Sequence, residues 1–333
     1  MFRFAHSAGL VALGAFATLA TSVSAASLDG YSSLLVFGDS LSDPGNLLAS
    51  AAPPAPPYYQ AAPGGANPLG AGVRFSDGPV WADMVAGETP LTLNFAFGGA
   101  RAASDGPSFD LPEQFGLFAL YADPATAGEN DLATIWLGAN DIFDTISRLA
   151  SSPSADPVAE VMAAGVAAAQ AVVDAAQTLI ALGVETVAVF NLPELDKTPA
   201  YQSLGDPARA WAEDGTDAFN DTLAALLATV PGGTIVPVDI ESSFAALIAD
   251  PEAFGFSPDL SPCIGTGDCG GEDPRVFFDG VHPTTAAHML VAQELRDALH
   301  PAPVPLPAGA PLVLMGLGAL AVARGRRQVA SGT

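Results

Sequence analysis

The sequence predicts one α/β domain, with a parallel β-sheet covered by helices on both faces. Three observations carry that prediction. Five short apolar runs, rich in β-branched and aromatic residues, alternate with long Ala/Leu helical stretches. Their β-branched and aromatic residues suit strands of a parallel sheet covered on both faces. About 275 residues lie between two atypical ends, a length that suits a single domain.

The first run is Leu34–Phe37, closed by Gly38. Leu91–Phe97 follows, closed by Gly98-Gly99, and then Ala133–Leu137, closed by Gly138. Thr186–Leu192 and Thr234–Ile240 are the fourth and fifth. Helical stretches are clearest at Asp156–Leu182 and Pro207–Val230, and the last helix covers about Thr284–Leu299. Long loops are expected at 50–75 and 251–278. The first contains a low-complexity stretch, Ala51–Gly72, rich in Ala, Pro and Gly. It reads as a surface loop, because the segment after it continues the same alternation.

Composition excludes several functions. Of 333 residues, 11 are Lys or Arg and 36 are Asp or Glu, a net charge of −25. Such a chain repels phosphate backbones, so no nucleic-acid partner is expected. Half of the residues are hydrophobic, too many for a disordered chain. Two Cys and four His cannot supply a four-cysteine zinc site or a His-rich centre. Lys197 is the only lysine and follows no Gly-rich loop, which excludes a P-loop. No metal and no cofactor is expected.

The ends differ from the body. No acid precedes Asp29 or follows Asp297. Setting aside Arg3, Arg324, Arg326 and Arg327 leaves seven basic residues against all 36 acids, or −29. That acidity reads as a surface property. Residues 1–25 combine Arg3, an apolar run from about Ala8 to Ala20, and the small residues Val23-Ser24-Ala25. This is the pattern of a secretory signal peptide; the other reading is a buried N-terminal helix. Residues 304–327 combine Val304-Pro305-Leu306-Pro307-Ala308, the apolar run Ala310–Ala323 and Arg324-Gly325-Arg326-Arg327. That tripartite pattern resembles bacterial VPLPA-type C-terminal sorting signals, relatives of PEP-CTERM tails; the other reading is a tail helix packed on the domain. The protein is therefore expected to be exported to the cell envelope or beyond, with membrane association through the tail. In an exported chain the pair Cys263 and Cys269 suggests a disulfide rather than two free thiols.

Chemistry in parallel sheets sits past the carboxyl ends of the strands. Ser40 stands there, after Gly38-Asp39, and is expected to open a helix whose positive end favours a developing oxyanion. A serine nucleophile needs a base. His300 lies at the domain's end and His288 lies inside the last helix, where a structural or surface role suits it. His282 lies in a loop just before that helix, three residues after Asp279, which can orient the ring. Backbone N–H groups of Ser40 and Gly99 and the side-chain amide of Asn140 are available as oxyanion donors.

Four blocks, in this order, resemble the GDSL esterases, or SGNH hydrolases. They are Val36-Phe37-Gly38-Asp39-Ser40-Leu41-Ser42-Asp43, Asn94-Phe95-Ala96-Phe97-Gly98-Gly99-Ala100, Gly138-Ala139-Asn140-Asp141 and Asp279-Gly280-Val281-His282-Pro283-Thr284. The segment Arg74–Trp81 is also similar, and the resemblance covers about residues 32–299 of a domain placed at 27–300. It implies a three-layer α/β/α flavodoxin-like fold and ester hydrolysis through an acyl-serine. It further implies Ser40 as nucleophile, His282 as base, Asp279 as its orienter, and Gly99 and Asn140 completing the oxyanion hole with Ser40. Gly99 is preferred to Gly98 because it lies five residues after Asn94, as in that family. The substrate class stays open among short-chain esters, phospholipids and O-acyl glycans. A catalytically inactive surface binding or matrix protein on a hydrolase scaffold is the alternative.

Overall fold

The computed structural model describes residues 27–47, 74–103, 109–121, 128, 130–264, 266 and 269–300. Residues 1–25, 51–72 and 304–327, which carry the expected signal peptide, surface loop and sorting tail, lie outside these. Five strands form one sheet: β1 (Ser33–Gly38), β2 (Leu91–Asn94), β3 (Asp131–Trp136), β4 (Thr186–Phe190) and β5 (Thr234–Val238). Their order is β2-β1-β3-β4-β5, and every neighbouring pair is parallel. This is the flavodoxin-like order, whose direction of winding reverses between β1 and β3. Every residue of β1, β3 and β4 is buried, while the edge strands β2 and β5 are partly exposed.

Eight α-helices lie wholly within the described residues and flank the sheet. They are α1 (Trp81–Val85), α2 (Leu111–Tyr121), α3 (Ala139–Ser151), α4 (Pro157–Ala181), α5 (Pro199–Leu204), α6 (Ala208–Leu227), α7 (Ile240–Ala249) and α8 (Thr285–Leu299). Right-handed crossovers place α4 and α6 on one face, where they pack along each other, and α1 and α8 together on the other. Helix α4 starts where Asp156 accepts the Ala159 N–H and Pro157 occupies the first turn. It is long and apolar enough to cross a membrane, yet it buries Val161, Ala168, Val172 and Leu179 in the core. Gly165 lies so close to the Gly215 carbonyl of α6 that a Cβ would not fit between them.

Three strands, β2, β4 and β5, stop two or three residues before their apolar runs end. After β2 the Phe95 and Phe97 N–H groups still donate to Val36 and Gly38, and Asn94 bends the chain: its Nδ2 donates to Ser42 O and its Oδ1 accepts the Ala96 N–H. After β4, Asn191 Oδ1 accepts the Ile240 and Glu241 N–H groups and so caps the start of α7, which follows β5. At the opposite edge of the sheet, His300 Nε2 lies 2.7 Å from Ser27 O. Glu88, just before β2, accepts the Leu28 N–H and pairs with Arg296. The described chain thus begins and ends at the amino-terminal edge, away from the strand ends that carry Ser40.

His288 proves to be structural and not a surface residue. It is fully buried on α8, and neither ring nitrogen has a hydrogen-bond partner among the described residues. Burial, aided by nearby His282, lowers its pKa to about 3. The unfolded chain binds a proton near the ordinary 6.5, whereas the folded one resists it until about pH 3. Between those values the unfolded state holds more protons, so this residue's contribution to stability is lost as pH falls below 6.5. His288→Leu is therefore expected to gain on the order of 3 kcal/mol relative to wild type between pH 6.5 and pH 4. Urea unfolding of both proteins at the two pH values checks this; parallel losses would contradict it.

Candidate active site

The carboxyl ends of β1 and β3 meet at the point where the winding reverses, and the site is built there. Gly38 ends β1 and is clamped from α2, where Gln114 accepts the Gly38 N–H and donates back to the Gly38 carbonyl. The chain then turns instead of becoming helical. Asp39 Oδ1 accepts the Leu41 N–H, and Asp43 Oδ1 accepts those of Gly45 and Asn46. Side-chain acceptors of this kind compete with helical bonding. Ser40 consequently sits in a turn, and helical backbone begins only at Asn46. The expectation that Ser40 opens a helix is corrected accordingly.

The last loop before α8 reaches Ser40 from 242 residues away in sequence. His282 Nε2 lies 2.8 Å from Ser40 Oγ, and His282 Nδ1 lies 2.8 Å from Asp279 Oδ2. Asp279 Oδ1 also accepts the N–H groups of Val281 and His282. Burial alone would raise the Asp279 carboxyl, but its bonds to His282 and to these amides prevail and hold it below its ordinary value. A carboxylate can only accept, so Nδ1 carries the ring proton and Nε2 is left to accept from the serine hydroxyl.

The loop after β2 supplies a further element. Gly98 donates its N–H to Asp43 Oδ2, and its missing side chain makes room for the Phe75 ring. Gly99 follows at φ +79°, a conformation that favours glycine, and its N–H makes no hydrogen bond among the described residues. The same holds for the Ser40 N–H. From the start of α3, Asn140 Nδ2 donates to Ala100 O at 2.8 Å and lies 3.4 Å from Asp39 Oδ2. Asp141 beside it accepts the Ala102 and Ala103 N–H groups, which ties the Gly99 loop to α3. All five residues singled out in the sequence thus converge: Ser40, Gly99, Asn140 and His282 line one cavity of about 200 Å³, and Asp279 stands behind His282.

Several contributors were not assigned from the sequence. Burial pushes the Asp39 carboxyl up to about 7, opposed by the Leu41 amide and by His282. Desolvation likewise raises Asp43 and Asp141. The Arg74–Trp81 segment holds the histidine loop: Ser76 Oγ donates to Pro283 O, and Asp77 Oδ1 accepts the Thr285 N–H. Phe75 packs against the His282 ring, with centroids 5.2 Å apart. A Cys263–Cys269 disulfide is present, and the Cys263 and Ile264 amides donate to Phe277 and Phe278, immediately before Asp279. Among the described residues no group of three His, Cys, Asp or Glu side chains is arranged to hold a metal ion.

A sequence model of the GDSL-like lipase/acylhydrolase family matches residues 34–295. The chain belongs to that family. Its members hydrolyse ester bonds, and this GDSL protein is an ester-bond hydrolase. It is 29% identical over 270 residues to phosphatidylcholine-sterol acyltransferase of Aeromonas hydrophila, covering 77% of this chain and 70% of that protein. It is 28% identical to GDSL esterase/lipase EXL2 of Arabidopsis thaliana, covering 78% and 86%. Among solved structures, the extracellular lipase of Streptomyces rimosus aligns with 82% of this chain and all of its own, at 16% identity and a TM-score of 0.46.

Proposed function

We propose that this GDSL hydrolase cleaves carboxylic esters through an acyl-Ser40 intermediate. The single observation that carries the reading is the relay of Asp279, His282 and Ser40 with two 2.8 Å links, facing unengaged backbone donors. Ser40 Oγ attacks the ester carbonyl as its proton passes to His282 Nε2. The oxyanion is held by the Ser40 and Gly99 N–H groups and by Asn140 Nδ2, which exchanges its long 3.4 Å bond to Asp39 Oδ2 for the oxyanion. Collapse breaks the bond to the alkoxy oxygen, which leaves as alcohol with the proton from Nε2. A water, deprotonated by the same nitrogen, then releases the acid and restores Ser40. Asp279 stays ionised and steadies the imidazolium. The apolar lining of the cavity, with Phe143, Leu195, Phe244 and Ile248, suits an acyl chain. A relative named for phosphatidylcholine makes phospholipid acyl esters one class to assay.

Asn140→Ala is expected to lower kcat about 10²–10³-fold, because a donor aimed at the oxyanion is lost. Steady-state hydrolysis of p-nitrophenyl butyrate checks this, and a kcat within threefold of wild type would remove Asn140 from the oxyanion site. We also propose that the domain spans 27–300, is exported, loses residues 1–25 and is directed to the envelope by 304–327. The patterns of those segments and the disulfide support this reading. Intact mass of the exported protein should lack residues 1–25; a mass that retains them would contradict the signal peptide.

A further inference from the structure

The catalytic cavity has a neighbour. A second apolar groove of about 550 Å³ runs along Pro199, Gln202, Leu260 and Pro262. Ile248 lines both spaces and is the one residue common to their linings. It lies near the end of α7, one turn after Phe244, so both side chains project from the same face of the helix. The rest of the partition is a short backbone stretch. Glu194, Leu195 and Thr198 face the catalytic side, and Lys197 and Pro199 face the groove. That stretch is anchored: Thr198 Oγ1 donates to Leu195 O, and Lys197 pairs with Asp196 at 2.8 Å. Ile248, partly buried and on a helix end, is the movable or removable part of the wall.

The two spaces differ in what they can hold. The catalytic cavity, at about 200 Å³, is smaller than the roughly 300–1,000 Å³ typical of whole small-molecule sites. It accommodates a short acyl chain and then meets Phe244 and Ile248. Beyond Ile248 the groove continues with a mostly apolar surface from Pro199, Leu260 and Pro262, and Lys197, Gln202, Ser203 and Ser261 also line it.

We propose that Ile248 sets the acyl-chain length this enzyme accepts, and that the groove behind it takes the distal end of a longer chain of the same ester. The proposal rests on the ester-hydrolase reading of the site and names the substrate element that this reading leaves open. A smaller side chain at 248 joins the two spaces. A larger one shortens the first.

The test compares wild type, Ile248→Ala and Ile248→Phe on p-nitrophenyl butyrate and p-nitrophenyl hexadecanoate in the same detergent. The readout is the ratio of kcat/KM for the long ester to that for the short one. The ratio is internal to each preparation, so loss of folded protein does not change it. It is expected to rise about tenfold or more in Ile248→Ala and to fall in Ile248→Phe. Equal ratios in the three proteins would overturn the proposal. A second measurement needs no turnover. On the Ser40→Ala background, the Kd ratio of hexadecanoate to octanoate should fall at least fivefold when Ile248 becomes Ala, and an unchanged ratio would overturn the partition. If wild type hydrolyses neither ester, the acyl-serine reading fails, and the fatty-acid ratios still decide whether Ile248 divides the two spaces.

Discussion

Ser40→Ala is expected to lower kcat for p-nitrophenyl butyrate by about 10⁴-fold or more, leaving only what binding and the oxyanion donors supply. The methyl group offers no lone pair to attack the carbonyl and no proton for His282 Nε2 to take. The fold should survive. Among the described residues Ser40 Oγ has one hydrogen bond, to His282, and the turn that carries it is held by Asp39 and Asp43 instead. Losing that bond costs about 1 kcal/mol. A melting curve close to wild type, together with activity at background, is the predicted pair of results. Activity within tenfold of wild type would mean that another group attacks.

Asp279→Asn is expected to cost about 10³–10⁴-fold in kcat by inverting the histidine. The reason lies in how the carboxylate is used. Oδ1 is committed to the Val281 and His282 N–H groups, and Oδ2 accepts from His282 Nδ1. An asparagine that keeps the two backbone bonds must place its NH2 group at Nδ1. The ring then holds its proton on Nε2, which donates to Ser40 and no longer accepts from it. Because both loop amides stay bonded, the melting temperature should change little. Steady-state kinetics and thermal unfolding of the same sample check the pair. A kcat within tenfold of wild type would show that the ring is oriented by something else.

Much of this was legible in the sequence because the signals are local. β1, β3 and β4 are buried throughout, so each reads as a largely apolar run. Ser40, Gly99 and Asn140 each follow such a run, and the site residues sit where parallel sheets carry their chemistry. The choice of Gly99, made from its distance to Asn94, has a structural counterpart: Gly98 spends its N–H on Asp43. What the sequence hid are polar contacts between distant segments. Gln114 clamps Gly38 from 76 residues away, and Asn140 meets Asp39 across 101. No periodicity marks such pairs. The turn at Ser40 was missed for a related reason: a serine after a strand looks like a helix cap, and only the bonds of Asp39 and Asp43 show that it is not. The acidity also divides. Asp39, Asp43, Asp110 and Asp141 are buried as scaffolding for the site, so not all of the negative charge lies at the surface.

The most direct measurement of the central claim is covalent labelling of an actively hydrolysing preparation with an alkyl fluorophosphonate, followed by peptide mass mapping. The phosphonyl group is predicted on the peptide carrying Ser40, with activity falling in step with its appearance, and on no residue of Ser40→Ala. Full inactivation with Ser40 unmodified, or equal labelling of Ser40→Ala, would contradict the acyl-serine mechanism.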